Sequence, residues 1–353
     1  MKMCHALARC GCEVELVALF PPRAESRGGC DPFAFYGQDP SFKLLRLRVP
    51  HLPGKTLILA LRAAHRISKR PPDLVYARNI YAACLAARQN VPVIAELHSP
   101  PSDALGIAPN CLQRLTDTPS FLRAVAITDA LREQLIQRYP TLDRKTLTLA
   151  DAADPVAQDA VPAALPGRSG TLQIGYTGHF YHGKGVDLIV SLAERCPWAT
   201  FHVAGGRQAD LKRFAACFRK PGNLWVHGYL PYQEAERIRL ACDVLLLPNQ
   251  RVVKTRSIKS DIGPWTSPLK LFEYMAAGKA IVCSDLPVLR EVLTHEYNAL
   301  LCDPEDTDSW VAALVRLRDD LDMRIAIGRQ AHTDFTLYHT WDTRARRILA
   351  LLE

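Results

Sequence analysis

Residues 177–188, TGHFYHGKGVDL, set Gly178, Gly183 and Lys184 at the spacing of a nucleotide-binding P-loop and then place Gly185 where that motif carries Ser or Thr. In a P-loop the hydroxyl holds Mg²⁺, and an acidic residue at a later strand end completes the metal site. Gly185 has no hydroxyl, and the next strand-like run, ATFHVAGG, ends in glycines, which argues against an ATPase. What survives is a backbone able to approach a diphosphate, Lys184 as a point charge and a helix N-terminus near Val186. The plain alternative is a glycine-rich strand-to-helix turn with a solvated lysine.

A second stretch with chemistry in it is TSPLKLFEYMAAGKAIVCSDLPVLREVL, residues 266–293. Ser267 or Thr266 is expected to cap a helix entered through Pro268 at its first position, where a missing amide proton costs nothing. The free amides from Ser267 through Leu269 to Lys270 then face a ligand. Glu273 shares a helix face with Leu269 and Lys270. Its carboxylate can accept both hydroxyls of a ribose, or it pairs with Lys270 on the surface.

These residues need strand ends to hold them. Strand-like and helix-like runs alternate through DLVYAR, PVIAEL and AVAIT in the first half, the last followed by a helix that Asp129 can cap. Residues 151–170, rich in Ala, Pro and Asp, read as a linker. The alternation then restarts with six strands, from TLQIGYTG to ALLCD, separated by short helices, which describes a doubly wound α/β domain. Ligands in such sheets sit beyond the carboxyl ends of the strands, so Gly178 to Gly185, Gly205, Gly206, Gly228, Pro248, Asn249 and the loop to Ser267 are expected to line one crevice.

The 353 residues call for two domains, placed at 1–150 and 171–335, with a final helical segment at 336–353 that packs back on the first. Lys and Arg exceed Asp and Glu by 44 to 36, a net charge of +8 that suits an anionic ligand. The basic residues are dispersed without an interleaved aromatic stripe, which argues against nucleic acid. Eleven scattered cysteines without a CxxC pair read as reduced thiols, and no leader or long apolar run stands out, so a cytoplasmic protein is expected. Residues 41–70 mix basic and apolar side chains, as a helix resting on an anionic membrane or one packed on the sheet would.

The ordered set TGHFYHGKGVDLIV, VHGYLPYQEAERIRLACDVLLLPN, SPLKLFEYMAAGKAIVCSDLPVLREVL, NALLCDPEDTDSWVAAL and Tyr338-His339-Thr340-Trp341-Asp342-Thr343-Arg344-Ala345 resembles the donor-binding half of retaining GT-B glycosyltransferases, family 4. The resemblance is strong over about 171–347 and thinner in DLVYARN, PVIAELHSP and ITDALREQL. It implies two Rossmann-like domains about a cleft and transfer of a sugar, with retention and without a metal or other cofactor. The donor it implies is a UDP- or GDP-sugar and the acceptor a glycan or lipid-linked molecule, with peripheral contact at the inner membrane face.

On this resemblance Lys184 matches a diphosphate-binding lysine, Glu273 the second Glu of a Glu-x7-Glu motif that contacts the ribose, and His98 a residue beside the donor sugar. Arg78 and Glu96 are weaker candidates. His179 stands where a basic residue usually follows the first glycine, and Trp265 stands at the first Glu. The strand and glycine-rich loop that open such domains are not found ahead of MKMCHALARCG, so a misassigned or truncated start is expected. The alternative function is a catalytically silent sugar-nucleotide-binding or scaffold protein. An epimerase or phosphorylase on the same fold is a further alternative, though nothing singles out a pyridoxal-binding lysine.

Overall fold

The structure, a computed structural model, describes residues 1–20, 31–48, 54–102, 106–167, 170–253 and 261–352. They form two compact units, Met1–Ala150 with Trp341–Glu353, and Asp151–Thr340.

In the first unit β1 (Glu15–Phe20) and β2 (Lys43–Arg48) form a parallel pair. A second parallel sheet carries β3 (Val75–Ala77), β4 (Val93–Leu97), β5 (Phe121–Ala126) and β6 (Thr146–Thr148) in chain order. Strand β4, VIAEL, is buried at every position, the pattern of a parallel strand covered on both faces. Glu96 is its one charged member, and its burial demands partners. The helix Trp341–Leu349 closes this unit by packing Ile348 against Ile94, Val125 and Leu149.

The cap expected at Asp129 is made one residue earlier. Thr128 accepts the Leu131 amide at 3.2 Å, while Asp129 accepts the Thr148 hydroxyl at 2.5 Å. Two oxygen-bearing side chains stand at this helix start, and the extended backbone of Thr128 aims its hydroxyl at the helix. Of residues 41–70, those at 49–53 lie outside the described residues, and the helix Lys55–Lys69 buries Ala60 and Ala64. Among the described residues no helix is long and apolar enough to cross a membrane.

The second unit holds one parallel sheet of β7 (Leu172–Gly178), β8 (Ala199–Gly205), β9 (Leu224–Gly228), β10 (Val244–Leu247), β11 (Ala280–Ser284) and β12 (Leu300–Cys302). The order β12-β11-β10-β7-β8-β9 reverses direction between β7 and β10. Loops leaving neighbouring strands diverge there to opposite faces, which opens a crevice at their carboxyl ends. Tyr176, Phe201, Leu246, Val282 and Trp310 fill the core, and Trp310 Nε1 donates to the Asp303 carbonyl at 2.9 Å. The segment expected as a linker begins in order: Ala152 and Ala153 are buried, and the Ala153 amide donates to the His339 carbonyl at 3.1 Å.

Candidate functional site

Both loops at the strand-order reversal meet. Strand β7 ends at Gly178, in register with Gly205 of β8, and the chain turns through His179–Lys184 before the helix Val186–Arg195. Gly183 (φ +84°) and Gly185 (φ +71°) have left-handed backbones. A Cβ on Gly183 would lie 2.0 Å from the Val252 carbonyl oxygen, and one on Gly185 would lie 1.9 Å from that of Pro248. These glycines are required by the loop after β10, whose Gln250 amide donates to the Gly183 carbonyl at 2.9 Å. Gly185 is also the N-cap of the helix and supplies no side-chain oxygen, so its first amides are left for another acceptor.

Positive charge gathers over this turn. Lys184 has no carboxylate partner among the described residues, and burial pulls its ammonium down to about 8. Burial lowers His179 as well, helped by the nearby Arg207, Lys184 and Lys270. The His179 ring stacks on Tyr181, and the Tyr176 hydroxyl donates to the His179 carbonyl at 2.7 Å. Asn249, at the end of β10, is buried with its Oδ1 unpartnered.

The helix Leu269–Ala276 differs in its first turn from the sequence expectation. Pro268 is the N-cap rather than the first helical residue, and no side chain caps it. Ser267 Oγ instead accepts the Asp151 amide at 3.1 Å, and the Thr266 hydroxyl donates to the Ile262 carbonyl at 2.5 Å. Both hydroxyls are spent on folding the approach to the helix, so its leading amides carry no protein cap.

Lys270 inverts the usual habit of a lysine. Part of its stem is exposed, while Nζ is buried without a hydrogen bond, 4.3 Å from the centre of the Tyr176 ring. Burial, then the proximity of Lys184, puts its ammonium well below the ordinary amine range. Glu273 does not pair with Lys270 as a surface ion pair. It faces Arg239 at 3.3 Å, an arginine only 3% exposed, while the Glu273 side chain stays 21% exposed. Arg239 thus fixes a carboxylate that still reaches solvent.

In the first unit His98 follows β4, and its Nε2 lies 2.5 Å from Glu96 Oε1. Glu96 Oε2 pairs with Arg344 at 2.8 Å, and Tyr76 donates a short hydrogen bond to the same carboxylate. Arg78 stands 3.7 Å from Glu96. Burial alone would raise the Glu96 pKa, but His98 and Arg344 outweigh it and hold it below the usual carboxylate range. Glu96 is therefore a carboxylate that orients His98.

Family models match both units: residues 1–149 fit Glycosyltransferase Family 4, and residues 171–320 fit Glycosyl transferases group 1. The chain belongs to these glycosyltransferases. It is similar to the 2-deoxystreptamine glucosyltransferase of Streptomyces kanamyceticus, 24% identical over 356 aligned residues that span 91% of this chain and 88% of that one. Among solved structures, HepE of Anabaena in complex with UDP matches with a TM-score of 0.67 at 16% identity, over 88% of this chain and 86% of that one. Sucrose-phosphate synthase from Thermosynechococcus elongatus matches with a TM-score of 0.71 at 14% identity, over 99% and 90%. The fold is GT-B, with two Rossmann-like domains.

Within the second unit of this glycosyltransferase, the reversal point gathers Gly178, His179, Gly183, Lys184, Gly205 and Pro248; Lys270 joins them through Tyr176 and Lys184, and Glu273 through Arg239, which reaches the Thr177 hydroxyl of β7 at 3.5 Å. Gly228 borders an open groove of about 550 Å³ with Leu211, Phe214 and Phe218. Arg239, Arg207 and Tyr176 escaped the sequence reading. Arg239 left a signal, because it falls on the helical stripe Tyr232, Ala235, Arg239, Cys242, beside Glu236 on the same buried face.

Proposed function

We propose that this glycosyltransferase binds a UDP- or GDP-sugar at the loops after β7 and β10 and transfers the sugar, with retention and without a metal, to a glycan or lipid-linked acceptor. The observation that carries the reading is the buried Nζ of Lys270 and the partly buried Lys184, neither with a carboxylate partner among the described residues, beside two uncapped helix starts. Such an arrangement is costly unless an anion completes it. A diphosphate brings the oxygens that both ammonium groups and the amides lack.

Departure of a nucleoside diphosphate concentrates negative charge on its terminal phosphate, and fixed cations stabilise that charge in the transition state. Lys184 and Lys270 are suited to this because both stand at the starts of the helices that follow the two loops, within electrostatic reach of one another. Glu273, held by Arg239, is assigned to the ribose hydroxyls. His98 is assigned to the sugar, oriented by Glu96. UDP complexes are known for the similar HepE, which supports a uridine nucleotide among the donors.

The test is a thermal-shift panel of UDP, GDP, ADP and Mg-ATP with EDTA where metal is to be excluded, repeated on Glu273→Ala. At a hundred times its Kd a ligand adds about 2.7 kcal/mol to stability. A shift with UDP or GDP in EDTA that Glu273→Ala loses supports the reading. A shift with Mg-ATP alone would overturn it. Release of nucleoside diphosphate from a donor in the presence of acceptor extracts then separates an enzyme from a silent binder.

A further inference from the structure

Binding of a nucleoside diphosphate leaves one oddity of the site unexplained. A lysine that binds phosphate ordinarily waits in water, its ammonium hydrated and its stem against protein. Lys270 does the reverse, with Nζ buried, no hydrogen bond and an aromatic face beneath it.

Titratable groups approach Lys270 from several elements. From the loop after β7 come Lys184 and His179, both cationic or able to become so, and Arg207 from the loop after β8 stands near His179. On its own helix stands Glu273, whose carboxylate is engaged by Arg239. From β11 comes the Cys283 thiol, fully buried and pushed far above its ordinary range, and therefore uncharged. Asp210, near His179, accepts the Arg207 amide at 3.0 Å. No acid on any of these elements makes an ion pair with Lys270. An ammonium there is buried without a hydrogen bond and is repelled by a second lysine, and the attraction of Glu273, which Arg239 engages, does not offset that burial.

We propose that Lys270 waits as a neutral amine and becomes an ammonium only when the diphosphate arrives, so that nucleotide binding takes up a proton. The proton comes from solvent and adds to the Nζ lone pair, and no other bond changes. The proposal rests on the nucleotide-diphosphate reading of the same loops. Its consequence is a site that holds one positive charge fewer while empty and gains that charge when the phosphates arrive. It also makes nucleotide affinity depend on pH through a residue remote from the reacting sugar.

The experiment is calorimetric titration of UDP into the whole protein at about pH 8.5 with EDTA, in two buffers of different ionisation enthalpy. At that pH the terminal phosphate, with a second pKa of about 6, is already ionised and releases no proton. The wild type is expected to take up protons, and Lys270→Met to take up about one fewer. Lys184→Arg, whose guanidinium does not titrate, is expected to keep the Lys270 share of the uptake. That variant carries the test if Lys270→Met binds too weakly to titrate.

UDP binding with no uptake in Lys184→Arg, or with the same uptake in Lys270→Met as in the wild type, would overturn the proposal and leave the nucleotide reading standing. If neither UDP nor GDP binds the wild type, the nucleotide reading itself fails.

Discussion

Replacing Lys270 by Met makes stability and ligand binding move in opposite directions. Met fills nearly the same volume and removes a buried Nζ that has no hydrogen-bond partner. Leaving such a group unsatisfied costs about 1–3 kcal/mol, so the ligand-free variant should be more stable by roughly that amount. The lost contact with the Tyr176 ring trims this, since Nζ lies 4.3 Å from the ring centre. For a unit of this size each kcal/mol shifts Tm by about 2–4 °C, so a rise of about 2–12 °C, less what the ring contact contributed, is expected.

With UDP the sign reverses. A hydrogen bond to a charged partner is worth about 1.5–3 kcal/mol, so Kd should rise roughly 10- to 150-fold. Melting with and without UDP, together with a calorimetric Kd, reads both effects on one preparation. A ligand-free variant less stable than the wild type by more than about 1 kcal/mol would refute the reasoning. It would mean that Nζ serves the fold and that its lack of a partner has been misjudged. Unchanged UDP affinity would be equally damaging.

Other expectations come from the same geometry. Burial holds Lys184 at about 8 against 10.5 in an exposed chain, so between those values the unfolded state binds more protons and the fold gains stability as pH rises. Lys184→Met should therefore melt above the wild type near neutrality, with the gap closing through that window and vanishing only above about pH 10.5, and a gap independent of pH would contradict this. Arg344→Met leaves the buried Glu96 carboxylate without its cation and should cost about 3–5 kcal/mol in urea unfolding. A loss under 1 kcal/mol would show that Tyr76 and His98 suffice. Gly185→Ala drives a Cβ to 1.9 Å from the Pro248 carbonyl and should cost at least about 2 kcal/mol. Gly11→Ala, with φ +90° but open space around it, isolates the backbone share, and equal losses at the two positions would deny the steric argument.

The strands and their ends were legible because hydrophobic runs such as IVCS and VLLL, closed by Gly, Pro or Ser, repeat at the spacing of a parallel sheet. With the strand ends came the loops that carry Lys184 and Pro248. Partner choice across the chain was not legible. Asp129 and Thr128 are both good caps, and only the backbone at Thr128 decides between them. Ser267 and Thr266 look like caps in SPLK, yet a distant Asp151 amide and the Ile262 carbonyl claim their hydroxyls. Glu273 seemed to have Lys270 for a neighbour, because helix spacing shows residues three apart and hides an arginine arriving from position 239. The burial of Lys270 Nζ was hidden for the same reason, since the ring beneath it belongs to another element.

The segment Asp151–Thr340 enters and leaves its own unit side by side, through the bridge between Ala153 and Thr340. It is an insertion inside the other unit, whose helix Trp341–Leu349 is translated after the inserted segment. A ribosome therefore completes the inserted unit while the first still lacks Ile348 and Arg344, the residues that cover Ile94 and neutralise Glu96. Cutting the gene at codon 150 would yield a half with an open core, whereas joining codon 150 to codon 341 through a short linker would restore it.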